Sequence, residues 1–156
     1  MADDLIKIQG LRELDAKLAQ LPTKVGFKVL RSAMMASTSG MFKAARRNAE
    51  ATGVKGYDSG ATAAAMSRWV KKASPTKTIL YLGPRSKNKK ALAIWNAKFN
   101  ANVTRLRHFH LLEFGSERGP AQPYLRPAFA ANARMAAESF KTNIEKQLAK
   151  VWNKPR

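Results

Sequence analysis

Leucines at 11, 14, 18 and 21 recur at spacings of three and four, which puts one apolar stripe on a three-turn helix that Pro22 closes. Ahead of it, Leu5 to Ile8 alternate apolar and polar side chains and stop at Gly10, the pattern of a short strand ending in a turn. The next stretch predicts a longer helix, capped by Thr23 and running to about Glu50. In it Val25, Val29, Ala33, Ala36, Gly40 and Ala44 form one seam, with Leu30, Met34 and Met41 beside it. The small residues of that seam let a neighbouring element approach closely, from the same subunit or from another copy. Lys43, Arg46 and Arg47 near its end complement the carbonyl pole of the helix dipole.

From Ala51 to Gly60 the periodicity dissolves into a glycine-punctuated loop. Met66 to Ala73 and Thr78 to Leu82 then read as two strands joined by residues 74–77, a hairpin that Gly83 and Pro84 break. Leu92, Ile94, Trp95 and Phe99 mark a short apolar-periodic stretch, and His110 to Phe114 one or two helical turns ended by Gly115. Pro120, Pro123 and Pro127 hold Tyr124 and Leu125 in an extended approach to a final helix. On that helix Phe129, Ala133, Ala136, Phe140, Ile144, Leu148 and Val151 keep a 3.6-residue period.

The chain has 156 residues, 45% of them apolar, enough for a single domain with its own core over 1–156. It contains no cysteine, which excludes disulfides, thiolate metal sites and cysteine nucleophiles and favours a reducing cytoplasm. No apolar run approaches the roughly 20 residues of a spanning helix, and the acidic start Met1 to Asp4 is unlike a signal peptide. A soluble protein, unexported by its own signals, is the expectation.

Charge changes this picture most. Lys and Arg number 29 against 10 Asp and Glu, a formal net charge of +19 that calls for an anionic or acidic partner. The excess is segregated: between Lys55 and Leu112 twelve cations accompany one acid, Asp58. Arg85, Lys87, Lys89, Lys90, Lys98, Arg105 and Arg107 are the candidate contacts to an acidic partner or to DNA. Trp95 and Phe99 among them could stack bases, but their spacing of four puts them on one helical face, which favours packing on the sheet.

Reactive chemistry is sparse. His108, His110 and Glu113 are the only cluster with ligand character, and they sit among cations and apolar neighbours, a setting more typical of surface or packed histidines than of a metal site. There is no Gly-x-Gly-x-x-Gly or Gly-Lys-Ser/Thr phosphate cradle, and Gly115-Ser116 lacks the second glycine of a nucleophile elbow. The reading is no enzyme, no cofactor and no metal.

The most distinctive stretches are Phe109-His110-Leu111-Leu112-Glu113-Phe114-Gly115-Ser116 and Ala121-Gln122-Pro123-Tyr124-Leu125-Arg126-Pro127-Ala128. They resemble the bacteriophage tail-completion proteins, also called neck or head–tail joining proteins and related to the minor tail protein Z of lambda-like phages. That family reads Leu-Glu-Phe-Gly-Thr and then Ala-x-Pro-Phe-Leu-Arg-Pro-Ala; here Ser116 stands for the threonine and Tyr124 for the phenylalanine. Ile6 to Leu14 is similar to the family's strand, glycine and leucine-helix start. Residues 84–107 look like a basic insertion.

The resemblance implies an α+β subunit, a small antiparallel sheet packed with a long central helix and a long C-terminal helix. It also implies a virion structural protein, assembled in the host cytoplasm, that forms a ring, six copies in the family's manner, between the head connector and the tail. Leu112, Glu113, Phe114, Gly115, Tyr124, Leu125 and Arg126 are then the candidate contacts to another subunit or partner; equally, they can close the subunit's own core. Glu113 can cap local amides or pair with Arg126, and Arg126 can instead reach a neighbour. Six copies would carry six times +19, or +114, against about 24 phosphates of DNA threading a ring roughly 40 Å thick. Transient DNA contact therefore leaves most of the charge to acidic neighbours or solvent. The alternative from another class is a nonspecific nucleic-acid-binding protein using the basic middle segment.

Overall fold

The structure is a computed structural model that describes residues 11–52, 59–72, 77–117 and 119–153. The strand expected at 5–8 and most of the loop at 51–60 lie outside them. Among the described residues are seven helices and a two-stranded antiparallel sheet, an α+β fold. In order these are α1 (Leu11–Ala19), α2 (Thr23–Ser37), α3 (Ser39–Ala51), α4 (Ser59–Ala65), β1 (Met66–Lys72), β2 (Thr78–Pro84), α5 (Lys89–Phe99), α6 (Phe109–Phe114) and α7 (Leu125–Trp152).

The single helix expected from Thr23 to about Glu50 is instead two. At Thr38 three donors converge on the carbonyl of Met34: the Thr38 N–H at 3.2 Å, its hydroxyl at 2.8 Å and the Ser37 hydroxyl at 3.1 Å. Consecutive hydroxyl residues thus compete with the helical ladder for the same acceptor and interrupt it. Val29 and Ala33 are buried on α2, but Met41, Ala45 and Ala49 follow on α3, whereas Ala36 and Gly40 are exposed. The start of α2 also differs from expectation: Pro22 holds the cap position, its carbonyl accepting from Val25 and Gly26 N–H at 2.8 and 3.0 Å, and no side chain caps the helix.

The hairpin forms where its strands were read, except that β2 carries through Gly83 and Pro84 rather than stopping at Leu82. In a two-stranded sheet each strand has one unpaired edge, so a proline at a strand end forfeits no ladder bond. Just past it, the Arg85 N–H donates to Ala65 O at 2.9 Å. Helix α4, Ser-Gly-Ala-Thr-Ala-Ala-Ala, has no counterpart in the sequence reading.

The described chain gathers into two compact units, each assembled from separated segments. One comprises α1, α2, residues 69–81 and α7 from Asn132 onward. Its core is Leu14, Val29, Ala33, Ile144 and Leu148, with Leu18, Leu21, Leu30, Phe140 and Val151 packed against it, so Leu14, Leu18 and Leu21 of the leucine stripe and the α7 period from Phe140 onward face inward. Trp69 stacks on Tyr81 across the hairpin, centroids 5.3 Å apart.

The other unit comprises residues 40–68 and 82–131. It holds two apolar clusters: Ala45, Ala49, Ala63, Met66, Leu112, Tyr124 and Ala128 around α3, α6 and the start of α7, and Ala61, Ala65, Ala91, Leu106 and Phe109 around α4 and α5. Ala91 and Leu106, within residues 84–107, are buried in the second of these clusters.

Candidate functional site

Helix α6 ends at Gly115, whose φ of 82° lies in the region that side chains disfavour. A Cβ there would stand 2.9 Å from the backbone nitrogen of Ala121, so glycine is required on both counts. A tight turn follows, closed by reciprocal bonds between Ser116 and Gly119 at 3.0 and 3.1 Å. The returning chain is tied to α6 by the Gln122 N–H, which donates to Leu112 O at 2.8 Å.

That return brings the first turn of α7 onto Glu113. Oε2 accepts the N–H groups of Tyr124 and Leu125, both at 2.9 Å, and Oε1 accepts the Arg126 N–H at 3.0 Å and its Nε at 3.3 Å. Arg126 Nη2 donates to Glu113 O at 2.6 Å. A helix start leaves several N–H groups without intrahelical partners. Here one carboxylate satisfies three, and Pro127 has none to satisfy. The anion also sits at the positive end of the α7 dipole.

Glu113 is only 4% exposed. Burial raises its pKa, but the N–H groups of Leu125, Arg126 and Tyr124 and the Arg126 guanidinium outweigh that and hold it below the ordinary carboxylate value. Tyr124, fully buried beside it, has its phenol pushed up by burial and by the charge of Glu113. Its hydroxyl donates to Phe109 O at 3.5 Å and its carbonyl accepts from Asn48 Nδ2 at 3.2 Å, so α3, α6 and α7 are locked at one residue.

The seven residues proposed for a partner surface therefore divide. Leu112, Glu113 and Tyr124 are buried and close the subunit's own core, while Gly115 and Leu125 are half-buried. Phe114 is 70% exposed, and the Arg126 guanidinium lies over its ring at 5.3 Å. Phe129, which the sequence reading placed in the apolar stripe of the last helix, is 62% exposed. It stands three residues after Arg126, its neighbour on the helix surface. The buried residue of that turn is Ala128, so the stripe starts one position earlier than the aromatic suggested. Phe114, Arg126 and Phe129 are the exposed aromatic and cationic groups of this corner among the described residues.

The histidines and Glu113 serve separate tasks. His108 is buried, its Nε2 3.2 Å from Thr62 Oγ1, its ring stacked on Trp95 with centroids 4.3 Å apart. His110 is exposed. Among the described residues no group of three His, Cys, Asp or Glu could hold a metal ion. Trp95 packs on His108 and the α4–α5 cluster, not on the sheet as its spacing suggested, because α5 lies against α4.

Arg85, Lys87, Lys89, Lys90, Lys98, Arg105 and Arg107 are all exposed. Asn88 caps α5 by accepting the Ala91 N–H at 3.1 Å, and Asn100 ends it in the left-handed conformation, φ 46°. The chain then runs back along α5, pinned by Asn96 on both polar groups of Val103 at 3.0 and 3.1 Å. Comparison of the chain with protein-family models, curated proteins and solved structures finds no match among any of them.

Proposed function

We propose that this chain is a virion structural protein of a tailed phage or prophage, forming a ring at the head–tail junction that completes the tail and joins it to the head connector. The observation that carries this reading is that the two stretches resembling tail-completion proteins act as one physical device. Glu113 of the first caps the helix that the second opens, through four hydrogen bonds between 2.9 and 3.3 Å. Pairing the motifs in this way accounts for why a Glu-Phe-Gly corner and a Leu-Arg-Pro helix start belong together.

The same device leaves an aromatic, a guanidinium and a second aromatic on the outside, a composition enriched at protein interfaces. Phe114, Arg126 and Phe129 are thus the contacts to a neighbouring subunit or to connector and tail proteins, and the buried members hold them in place. No catalytic step is assigned to the site. Light scattering and negative-stain imaging of the purified protein, alone and with tail tubes, test the reading. Rings, or capped tubes, are expected; a protein that stays monomeric and never engages tubes would overturn it.

A further inference from the structure

Two short segments of the second unit lie against each other on its surface. The Leu106 N–H donates to Ser86 O at 2.8 Å, and Arg105 Nε donates to Ser86 Oγ at 3.3 Å. Residues 85–88 form a turn closed by the Asn88 N–H on Arg85 O at 3.1 Å. In each segment the middle residue is less exposed than the cations beside it: Arg85 and Lys87 flank the half-buried Ser86, and Arg105 and Arg107 flank the buried Leu106. Helix α5 starts at once with Lys89 and Lys90, both exposed, and has no acid in its first turn. Cations are disfavoured at that positive end of a helix. Six positive groups are therefore held together by backbone bonds, and residues 59–112 contain no Asp or Glu to offset them.

A cluster of this charge attracts anions, and the surrounding side chains narrow the class of anion. Protein interfaces are depleted in Lys and centre on apolar or aromatic anchors. This cluster has three lysines, and of the aromatics near it in sequence Phe109 is buried, Tyr81 is stacked on Trp69 at 5.3 Å and Trp95 on His108 at 4.3 Å, while the partly exposed Phe99 lies at the other end of α5. Single-stranded nucleic acids are gripped by exposed aromatics on which bases stack, and the segments that carry these cations, residues 85–90 and 105–107, contain no aromatic. What remains is a regular row of phosphates whose bases are already paired.

We infer that Arg85, Lys87, Lys89, Lys90, Arg105 and Arg107 form a docking site for the phosphate backbone of double-stranded nucleic acid, bound without reading its sequence. The site stands on this surface alone and goes beyond the ring reading. It locates binding on one panel rather than in the diffuse positive charge of the whole chain.

The test is an anisotropy titration of the full chain against a labelled mixed-sequence duplex over a range of salt. Four to six phosphate contacts predict that affinity falls roughly 10²–10³-fold between about 50 and 200 mM salt. Changing Lys87, Lys89, Lys90 and Arg107 to Gln lowers the magnitude of the log–log salt slope by about 3–4. The same number of changes at the exposed Lys24, Lys28, Arg31 and Lys146 leaves it within about one. Circular dichroism of both variants shows that each is folded, and Lys87→Gln with Lys89→Gln alone, which leaves the Ser86–Leu106 and Arg85–Asn88 backbone bonds in place, gives an intermediate slope. Equal losses in the two quadruple variants would overturn the inference. So would tighter binding of a single strand than of the duplex, or more effective competition by polyglutamate than by duplex at equal charge. Failure here with tubes still capped leaves the ring reading standing, and the converse holds.

Discussion

Glu113 and Arg126 hold each other twice over: the carboxylate accepts the arginine's N–H at 3.0 Å and its Nε at 3.3 Å, while the glutamate's own carbonyl accepts Nη2 at 2.6 Å. The carboxylate is 5% exposed at the side chain and the guanidinium 59%, so the two partners are not equivalent. Removing the acid strands buried amides, whereas removing the base leaves the acid with three N–H donors.

Glu113→Ala should therefore cost about 2–4 kcal/mol, because Tyr124, Leu125 and Arg126 lose the acceptor for their amides. Arg126→Ala should cost less than about 1 kcal/mol, as for a largely solvated ion pair. Urea unfolding of the two variants checks the order, and an arginine variant as damaged as the glutamate variant would contradict it.

Acid should weaken the wild type through the same residue. Its folded pKa lies below the unfolded value of about 4.3, so its stabilisation is complete above that value and is lost as pH falls through the folded one. In Glu113→Gln the acid limb of the stability curve should flatten. Tyr124 acts at the other end: its raised folded pKa gives a contribution complete below about pH 10 and lost as pH rises further. Tyr124→Phe should flatten the alkaline limb. Urea midpoints measured across pH read both.

Gly115→Ala should destabilise by about 1–3 kcal/mol, since the φ of 82° is strained for alanine and the new Cβ meets Ala121 N at 2.9 Å. Gly83→Ala is the contrast: no atom lies within 4 Å of its Cβ position, and removing glycine from a strand should be neutral or stabilising by up to about 1 kcal/mol. Thermal midpoints of the pair test whether close approach or chain entropy governs each position.

Much of this corner could be read in advance. Glu113 as an amide cap or an Arg126 partner was one of two readings, and the structure makes it both, because a carboxylate has two oxygens and α7 offers more orphan donors than one can serve. What escaped had little hydrophobic contrast. Helix α4 is made of alanine, glycine, serine and threonine, so its buried residues, Ala61, Thr62, Ala63 and Ala65, carry no period that a sequence pattern can detect. The interruption at Thr38 was hidden because alanines on both sides of it keep the spacing of an unbroken helix. Phe129 misled in the opposite way: a large aromatic at helical spacing argues for core, yet the residue buried in that turn is Ala128. The basic segment was legible as charge, but not the Ser86 and Asn96 hydrogen bonds that turn it into an ordered surface.

Phe114→Asp with Phe129→Asp should leave the subunit's own stability within about 1 kcal/mol of wild type, because both rings are mostly in solvent. Assembly should fail all the same. The decisive measurement for the proposed ring is negative-stain imaging of phage tail tubes mixed with either protein. Wild type should cap one end of the tubes with a ring, and the double variant should leave them bare at an unchanged melting temperature. Bare tubes with wild type, or capping by the double variant as complete as by wild type, would contradict the account.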